Sequence, residues 1–511
     1  MIRGDPRRLG VVVAALLAWI AVASAAHELG GRPAFVLASL GGALLVSLLL
    51  DWRVLVASVI FLVLVEALPR RYLANDVALF FVKDVALAVA YAKYALERRR
   101  TQRPLLPRTR LLPALGALAA LVVLGVANPY LPALAVGVVG LHGWLWYVPI
   151  AILVPEAVGN PSRAVAWVRG FALASLPLAV LAALQIRYAS LNSNYYDDLY
   201  GPSGYTVPGG TVFDRSVSTF ASTGAYGDYV TFTVVATFAL AVATLRAPRS
   251  LLLATLFAGF LLAIGGAASR GVVAALFVSV VVFALLTLRL DRRLLLVVGL
   301  TGALVGASFV LHPQLPGLHR AVVSGLSPTS IENRIRQYVG EPMPGPPDTG
   351  AIRTAAGPEL RSLSIGDRLA SDHEPVRVSN LATRLIGHGT GVGAPGRQYL
   401  EPFLNERQLR EATALAGPEG GWLNVTWEFG VLGALVLLGV FGVIAATART
   451  IYRQATDDDT RVLGALGFLL VGTTAVLMFL STKIGQVNYT IFFWAAVGLM
   501  LVGARPPREE R

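Results

Sequence analysis

Long apolar runs separated by short polar segments dominate the pattern of the chain. About fourteen segments come close to the roughly 20 residues that a helix needs to cross a hydrocarbon core. They are residues 9–26, 34–50, 54–68, 77–96, 111–127, 135–157, 167–186, 229–245, 251–268, 271–288, 294–311, 422–446, 462–480 and 484–502. The core of a soluble protein does not account for so many long apolar runs. The pattern therefore predicts an all-α, polytopic membrane protein with about 12–14 transmembrane helices.

The longest polar stretch divides the predicted bundle into unequal parts. Residues 1–311 contain spans one to eleven, residues 312–421 form a large loop, and residues 422–511 contain spans twelve to fourteen and a tail. Residues 341–375 are rich in Pro, Gly, Asp and Arg, which is typical of irregular loop. Residues 331–339 and 401–416 have helical spacing instead. We therefore expect a small helical cap over the bundle.

Clusters of arginine predict the orientation of the spans. Most of the clusters fall on one face once the runs are threaded through a membrane, and short loops rich in Lys and Arg remain on the cytoplasmic side. The clusters are Arg7-Arg8, Arg98 to Arg110, Arg246 with Arg249, Arg292-Arg293, Arg449 to Arg461, and the tail from Arg505. The pair Arg70-Arg71 is the main exception. The loop of residues 312–421 is then extracytoplasmic.

The first apolar run also has features of a secretory signal peptide. Basic residues precede it, and Ala23-Ser24-Ala25 lies near its end. Cleavage would leave thirteen spans without changing the orientation of the later ones. We expect the run to be retained as the first span, because a polytopic protein needs no cleavable signal.

Composition narrows the classes of partner and cofactor. The chain has 511 residues, is 55% hydrophobic and 14% charged, and has a formal net charge of +13. In a soluble protein this charge would suggest nucleic acid, but here it lies largely in short loops that set orientation, so we expect no nucleic-acid partner. The chain has no cysteine, which excludes disulfides and thiolate chemistry. HExxH, GxSxG and Walker motifs are also missing, and we expect neither metal nor cofactor.

Several arginines are predicted on the extracytoplasmic side, where they are candidates for binding phosphate. Arg270 lies in the tight turn Ser269-Arg270-Gly271, and Arg215 precedes the eighth span. Arg334 and Arg336 follow a helix-start sequence, in which Ser330 is a candidate cap. Guanidinium groups bind phosphate oxygens in pairs of hydrogen bonds. The alternatives are that Arg270 snorkels to the interface and that Arg334 lies on a solvated, salt-bridged face.

Two further residues of the large loop are candidates for acid–base chemistry. His388 lies in the glycine-rich segment of residues 387–393, which is no nucleotide loop because no strand is predicted before it. Glycine there permits close backbone approach beside a site, and His388 is either catalytic or structural. Glu419 precedes span twelve and either caps the helix dipole or serves as a carboxylate base.

The fourth predicted span contains two charged residues, Lys83 and Asp84. Charged side chains inside a membrane face the interior of a bundle and pair with one another. Glu66, near the outer end of span three, is the expected partner of Lys83. We interpret the two as a buried structural pair.

Taken in order, these motifs resemble the O-antigen ligase and O-antigen polymerase superfamily of bacterial envelope glycosyltransferases. The resemblance covers roughly residues 167–446. It is carried by the following segments: Phe213-Asp214-Arg215 with Ser218-Thr219-Phe220-Ala221-Ser222, Ser269-Arg270-Gly271, Asn333-Arg334-Ile335 to Tyr338, Leu385 to Gly391, and Trp422-Leu423 to Gly430-Val431-Leu432-Gly433.

The resemblance implies an activity, a location and a set of site residues. The activity is transfer of a glycan from a polyprenyl (undecaprenyl) diphosphate carrier to a glycan or lipid acceptor hydroxyl, without metal, as in lipopolysaccharide biosynthesis. The location is the bacterial cytoplasmic (inner) membrane, with the active site on its extracytoplasmic face. Arg270 and Arg334 match the arginines that hold the diphosphate, and Arg215 and Arg336 accompany them. Ligases have His-Asn where this chain has Glu419-Gly420, so the base is either Glu419 or His388, and both ligase and polymerase remain open.

Two other functions are compatible with the pattern. A lipid or polysaccharide transporter would also need outer arginines, but it should display polar residues through the whole depth of the membrane. Few charges besides Glu156 and the Lys83 region meet that condition, which favours chemistry at one face. The other alternative is a non-catalytic envelope scaffold.

Overall fold

A computed structural model describes much of the chain outside the large loop. The described residues are 31–67, 77–107, 109–187, 205–206, 212–213, 218–220, 223–243, 281–282, 381–393, 404–405, 421–479 and 486–504, with isolated positions at 18–26, 407–411 and 484. Spans predicted at residues 9–26, 251–268, 271–288 and 294–311, and most of the cap, lie largely outside them.

The described residues are mostly helical, in agreement with the predicted class. The elements are α1 Gly31–Leu49, α2 Trp52–Leu62, α3 Val77–Arg100, α4 Leu111–Val126, α5 Leu134–Leu145, α6 Ile150–Val158, α7 Pro161–Arg187, β1 Tyr205–Thr206, β2 Val212–Phe213, α8 Thr223–Ala243, α9 Leu381–Ile386, α10 Gly421–Gln454, α11 Asp458–Leu477 and α12 Val487–Val502. The strands β1 and β2 form one short antiparallel pair.

Four stretches of helix in the described part are long and apolar enough to cross a membrane. They are Leu134–Val158, Pro161–Ala182, Gly421–Gln454 and Asp458–Leu477. Large aliphatic side chains on the bundle surface support a lipid environment, because a soluble protein rarely exposes so many; Leu37 of α1 is 74% exposed and Leu124 of α4 is 70% exposed. The protein is therefore membrane-embedded, and its total number of spans stays a prediction.

The segment predicted as one span at residues 135–157 consists of two helices. Helix α5 ends at Leu145 and α6 begins at Ile150, with turns at residues 146–149 between them. Pro149 explains the interruption, since proline has no N–H to donate and its ring clashes with the preceding turn. The carbonyl of Trp146 in this break accepts a hydrogen bond from the Tyr91 hydroxyl at 2.7 Å.

Most of the described helices share one hydrophobic core, centred on α10, α11 and α12, and a small second cluster lies beside residues 387–393. Helix α11 packs against α8 and α10, and α12 packs against α6. Aromatic rings fill the centre of the core, where Phe171, Tyr229 and Phe492 contact one another at ring-centroid distances of 5.2–5.9 Å. This core fixes the helix ends on which the candidate site lies.

Basic residues gather at one end of the described bundle. Arg53 pairs with Glu97, and Arg98 pairs with Glu156 at 2.8 Å. The Ser162 hydroxyl donates to Asp459 at 2.7 Å, which brings the starts of α7 and α11 to the same end. The end of α4, the start of α5 and the start of α10 lie at the opposite end, beside the segment of residues 387–393.

Candidate functional site

One of the six predicted site residues lies in the described part of the chain. His388 follows α9 in the glycine-rich segment of residues 387–393, which we call the glycine loop. The structure places a helix before this loop, as expected for a segment that is no nucleotide loop. The predicted diphosphate-binding residues and the alternative base lie outside the described residues: Arg215, Arg270, Arg334, Arg336 and Glu419.

The glycine loop is buried between α4 and α10 instead of lying on the surface. The Asn128 side chain, just beyond α4, donates to the Gly387 carbonyl at 3.1 Å. Thr390 donates its N–H to the Gly125 carbonyl at 3.1 Å and its hydroxyl to the Val122 carbonyl at 2.6 Å. Although the loop is more than 250 residues from α4 in sequence, it is an integral part of the bundle.

The glycine loop also supplies backbone hydrogen-bond donors at a break in α10. Gly430 has φ 67° and ψ −168°, so the helix is interrupted near its start. Such an interruption removes helical partners from the carbonyls before it, and buried carbonyls need other donors. The N–H of His388 donates to the Trp427 carbonyl at 2.9 Å, and the N–H of Gly389 donates to the Glu428 carbonyl at 2.9 Å. The N–H groups of the loop thus replace the helical donors that the break removes.

The Glu428 side chain fixes the other half of the loop. It is 1% exposed, and its Oε2 accepts from the Gly391 N–H at 2.9 Å and from Trp144 Nε1 at 3.0 Å. Its Oε1 accepts from the Gly393 N–H at 3.2 Å, and Asn424 supplies a further side-chain hydrogen bond. Successive backbone N–H groups form a concave site for an anion. Here a carboxylate of the chain itself fills that site.

Two glycines permit this close approach. Gly391 has φ 89°, and a Cβ there would overlap the Val136 carbonyl and the Gly140 backbone of α5. A Cβ on Gly430 would overlap the Leu385 carbonyl at the end of α9. Both positions combine a positive φ with backbone contact, which only glycine accepts without strain.

The His388 ring is held in one orientation, with one nitrogen left for chemistry. It is 9% exposed and packs on the Trp427 indole at a centroid distance of 3.9 Å. Its Nδ1 lies 3.1 Å from the Trp427 carbonyl oxygen, which can only accept, so Nδ1 carries the hydrogen. In the neutral ring Nε2 then has the lone pair, and Nε2 has no hydrogen-bond partner among the described residues.

The surroundings of His388 favour its neutral form. Burial lowers the pKa of His388 from its ordinary value, and the hydrogen bond to the Trp427 carbonyl opposes this effect without cancelling it. A neutral imidazole with a fixed Nδ1–H can accept a proton at Nε2. The arrangement is therefore chemically competent as a general base, and its catalytic role stays a prediction.

Sequence reasoning gave no role to Glu428, the residue that anchors the loop. The sequence did contain one signal for Glu428: it is a carboxylate inside a segment that is otherwise apolar enough to span a membrane. Such residues are functional or structural centres by default.

The predicted pairing of Lys83 with Glu66 is confirmed. Their charged atoms are 2.9 Å apart, and the two side chains are 0% and 6% exposed.

The segment that follows Arg215 is anchored at the end of α2, away from the cluster of basic residues. Ser218 donates its N–H to the Gln185 side chain of α7 at 2.7 Å and its hydroxyl to the Leu178 carbonyl at 2.7 Å. The Thr219 hydroxyl donates to the Leu64 carbonyl just beyond α2. This places residues 218–220 at the same end of the bundle as the glycine loop.

A scan against models of known protein families finds no match for this chain, and a search of curated proteins finds no similar sequence.

Proposed function

We propose that this protein is a membrane glycosyltransferase that moves a glycan from a polyprenyl-diphosphate carrier to an acceptor hydroxyl. The observation that carries the proposal is the fixed His388 ring, whose Nδ1 is bonded to the Trp427 carbonyl and whose Nε2 is left for proton transfer. The ring lies at the end of the bundle opposite the basic residues. By the distribution of arginines that end is extracytoplasmic, where lipid-linked glycans are used.

The proposed reaction is a single displacement at the anomeric carbon. The acceptor oxygen forms a bond to that carbon, the bond from the carbon to the phosphate oxygen breaks, and polyprenyl diphosphate leaves. His388 Nε2, or Glu419, takes the proton of the acceptor hydroxyl. Attack from the face opposite the leaving group inverts the sugar. General base catalysis of this kind contributes about 10²–10⁴-fold to the rate.

Charge on the leaving diphosphate needs a preorganised cationic partner. Arg270 and Arg334 are proposed for this role, accompanied by Arg215 and Arg336, because they lie in segments predicted on the same side as His388. Removing one such group from a transition state typically costs about 10²–10³-fold in rate. Ligase and polymerase differ only in the acceptor, a lipid in one and a second carrier-linked glycan in the other.

Reconstitution of the full chain with substrate tests this proposal. Purified protein in proteoliposomes is incubated with a polyprenyl-diphosphate glycan and an acceptor, and products are separated on a gel. We expect a new glycosidic product, as a ladder for a polymerase and as a single shifted band for a ligase. Arg270→Ala should abolish it, whereas Arg407→Ala should not, because Arg407 is exposed and its ion-pair partner among the described residues is Glu411. Normal turnover by folded Arg270→Ala would remove Arg270 from the site.

A lipid or polysaccharide transporter is the second candidate, and one observation favours it. Charged side chains are buried within the bundle around Lys83 and Asp84, which brings polarity deeper than chemistry at one face requires. The same proteoliposomes distinguish the two functions. A transporter moves the intact carrier-linked glycan between leaflets without making product, and a scaffold does neither.

A further inference from the structure

Glu428 is the residue at which the elements around His388 meet. Its carboxylate accepts from Gly391 and Gly393 of the glycine loop and from Trp144 of α5. Three elements, the loop, α5 and α10, therefore share one side chain. Each of these contacts is with an N–H donor, and Glu428 is 1% exposed. Buried in this way, Glu428 does not reach a substrate, so any role that it has in a reaction acts through another residue.

The two halves of the glycine loop depend on different groups of α10. In the first half, the N–H groups of His388 and Gly389 donate to main-chain carbonyls just before the break. The second half, residues 391–393, donates to the Glu428 side chain. The first set of contacts needs only an interrupted helix, whereas the second set needs a side chain with two acceptor oxygens.

The carbonyl that orients the His388 ring lies on the same short segment as Glu428. That segment is residues 421–429, the part of α10 before the break, and it includes Trp427. Hydrogen bonds of Trp422 join the start of the segment to the end of α11. Glu428 joins its other end to α5 and to the loop. Glu428 thus holds both the segment that carries the carbonyl and the loop that carries the ring.

We propose that Glu428 is the positioning residue for His388, and that it holds Nε2 where this nitrogen takes the proton of the attacking hydroxyl. The catalytic part of the proposal rests on the proposed function, whereas the link between the carboxylate and the orientation of the ring does not. No bond of Glu428 changes during the reaction.

Glutamine is the substitution that isolates the two acceptor oxygens. It matches glutamate in shape, but an NH₂ group, which only donates, replaces one oxygen. Both oxygens of Glu428 face N–H donors, so the amide NH₂ meets a donor in either orientation. Buried donors without partners are strongly disfavoured. We therefore expect the second half of the loop to move away from α10 in Glu428→Gln.

Nitrogen NMR of the full-length, ¹⁵N-histidine-labelled protein in lipid nanodiscs tests the structural link without any substrate. The protein has six histidines, and His388→Asn identifies the His388 signal by its disappearance. In the wild type we expect a single neutral tautomer with the hydrogen on Nδ1. In Glu428→Gln we expect the signal to shift or broaden, because the ring loses its fixed orientation. An unchanged signal in folded Glu428→Gln would overturn the proposal.

The kinetics of glycan transfer test the catalytic part. Misplacement of a reacting group by about 1 Å costs about 10²-fold in rate. Glu428→Gln should therefore lower kcat by about that factor and leave KM for the carrier-linked glycan unchanged. A loss of folded protein with unchanged kcat per folded molecule would mean a purely structural role and would overturn the proposal. Absence of product from the wild type would instead reject the proposed function, and the NMR comparison would still decide whether Glu428 orients His388.

Glu156→Gln is the matched control. Glu156 is also largely buried, at 14% exposed, but it pairs with Arg98 at the opposite end of the bundle. The substitution should leave the His388 signal and kcat unchanged, whatever it does to the unfolding midpoint. Equal effects of Glu156→Gln and Glu428→Gln would overturn the proposal.

Trp144→Phe is a milder variant of the same contact. It removes one donor to Glu428 and keeps an aromatic ring beside Phe429. It should shift the His388 signal in the same direction as Glu428→Gln and lower kcat by a smaller factor. If Glu428→Gln does not fold, an unchanged signal and an unchanged kcat in folded Trp144→Phe would overturn the proposal.

Discussion

The two nitrogens of His388 have separate roles in this account. Nδ1 binds the Trp427 carbonyl and is structural, whereas Nε2 is proposed to be chemical. Substitution by asparagine separates the roles, since its amide N–H₂ can replace the Nδ1 donor while nothing replaces Nε2. We predict that His388→Asn keeps the thermal unfolding midpoint in detergent but slows glycan transfer by about 10²–10⁴-fold.

The control for this variant is His388→Ala, which should lower both the unfolding midpoint and the rate. Wild-type turnover by folded His388→Asn would show that His388 is purely structural and would leave Glu419 as the base.

The neutral state of His388 also predicts a pH dependence. Burial lowers the pKa of His388, so the folded protein holds it neutral down to a pH below the ordinary value of about 6.5. Protonation of a group whose pKa is lowered in the folded state reduces the free energy of unfolding. The stability of the folded protein is therefore unaffected by His388 above the ordinary pKa and decreases as the pH falls below that value. The pH profile of kcat/KM should therefore be flat near neutrality and fall only at acidic pH. A fall in kcat/KM that begins above the ordinary histidine pKa would contradict the assignment of His388 as the general base.

At the scale of elements, the break in α10 depends on one residue, Gly430. A side chain there must adopt φ 67° with ψ −168°, a backbone region that essentially only glycine occupies, at a cost of about 1–3 kcal/mol. Its Cβ would also overlap the Leu385 carbonyl. We predict that Gly430→Ala lowers the thermal unfolding midpoint and releases the glycine loop, measured as faster proteolysis near Arg384.

Gly439 provides the matched control on the same helix. A Cβ at Gly439 meets open space, and alanine is favoured over glycine inside a helix by about 0.5–1 kcal/mol. Gly439→Ala should leave the midpoint unchanged or raise it. Equal effects of the two substitutions would show that the break is not required for loop docking.

The elements also show what local sequence can predict and what it cannot. Apolar runs identified helices such as α4 and α11 closely, because span length and hydropathy are local properties. The Lys83 pair was predictable because a lone intramembrane cation needs a partner. Docking of the glycine loop on Glu428 was not, since it joins residues 35–37 positions apart through a break that no local propensity specifies. The interruption after Leu145 had a local cue in Pro149 that the apolar pattern concealed.

At the scale of the whole molecule, the described bundle has two ends of different character. One end gathers arginines in ion pairs with Glu97 and Glu156, and the other carries the glycine loop with His388. The proposed glycosyl transfer takes place at the second end.

Stoichiometric release of carrier is the measurement that tests the central claim most directly. Wild-type protein in proteoliposomes is given a carrier-linked glycan and an acceptor, and mass spectrometry follows free polyprenyl diphosphate and glycosidic product together. The account predicts one free polyprenyl diphosphate for each new glycosidic bond, with inversion at the transferred sugar. Carrier that remains fully glycosylated while the acceptor is unchanged would contradict it.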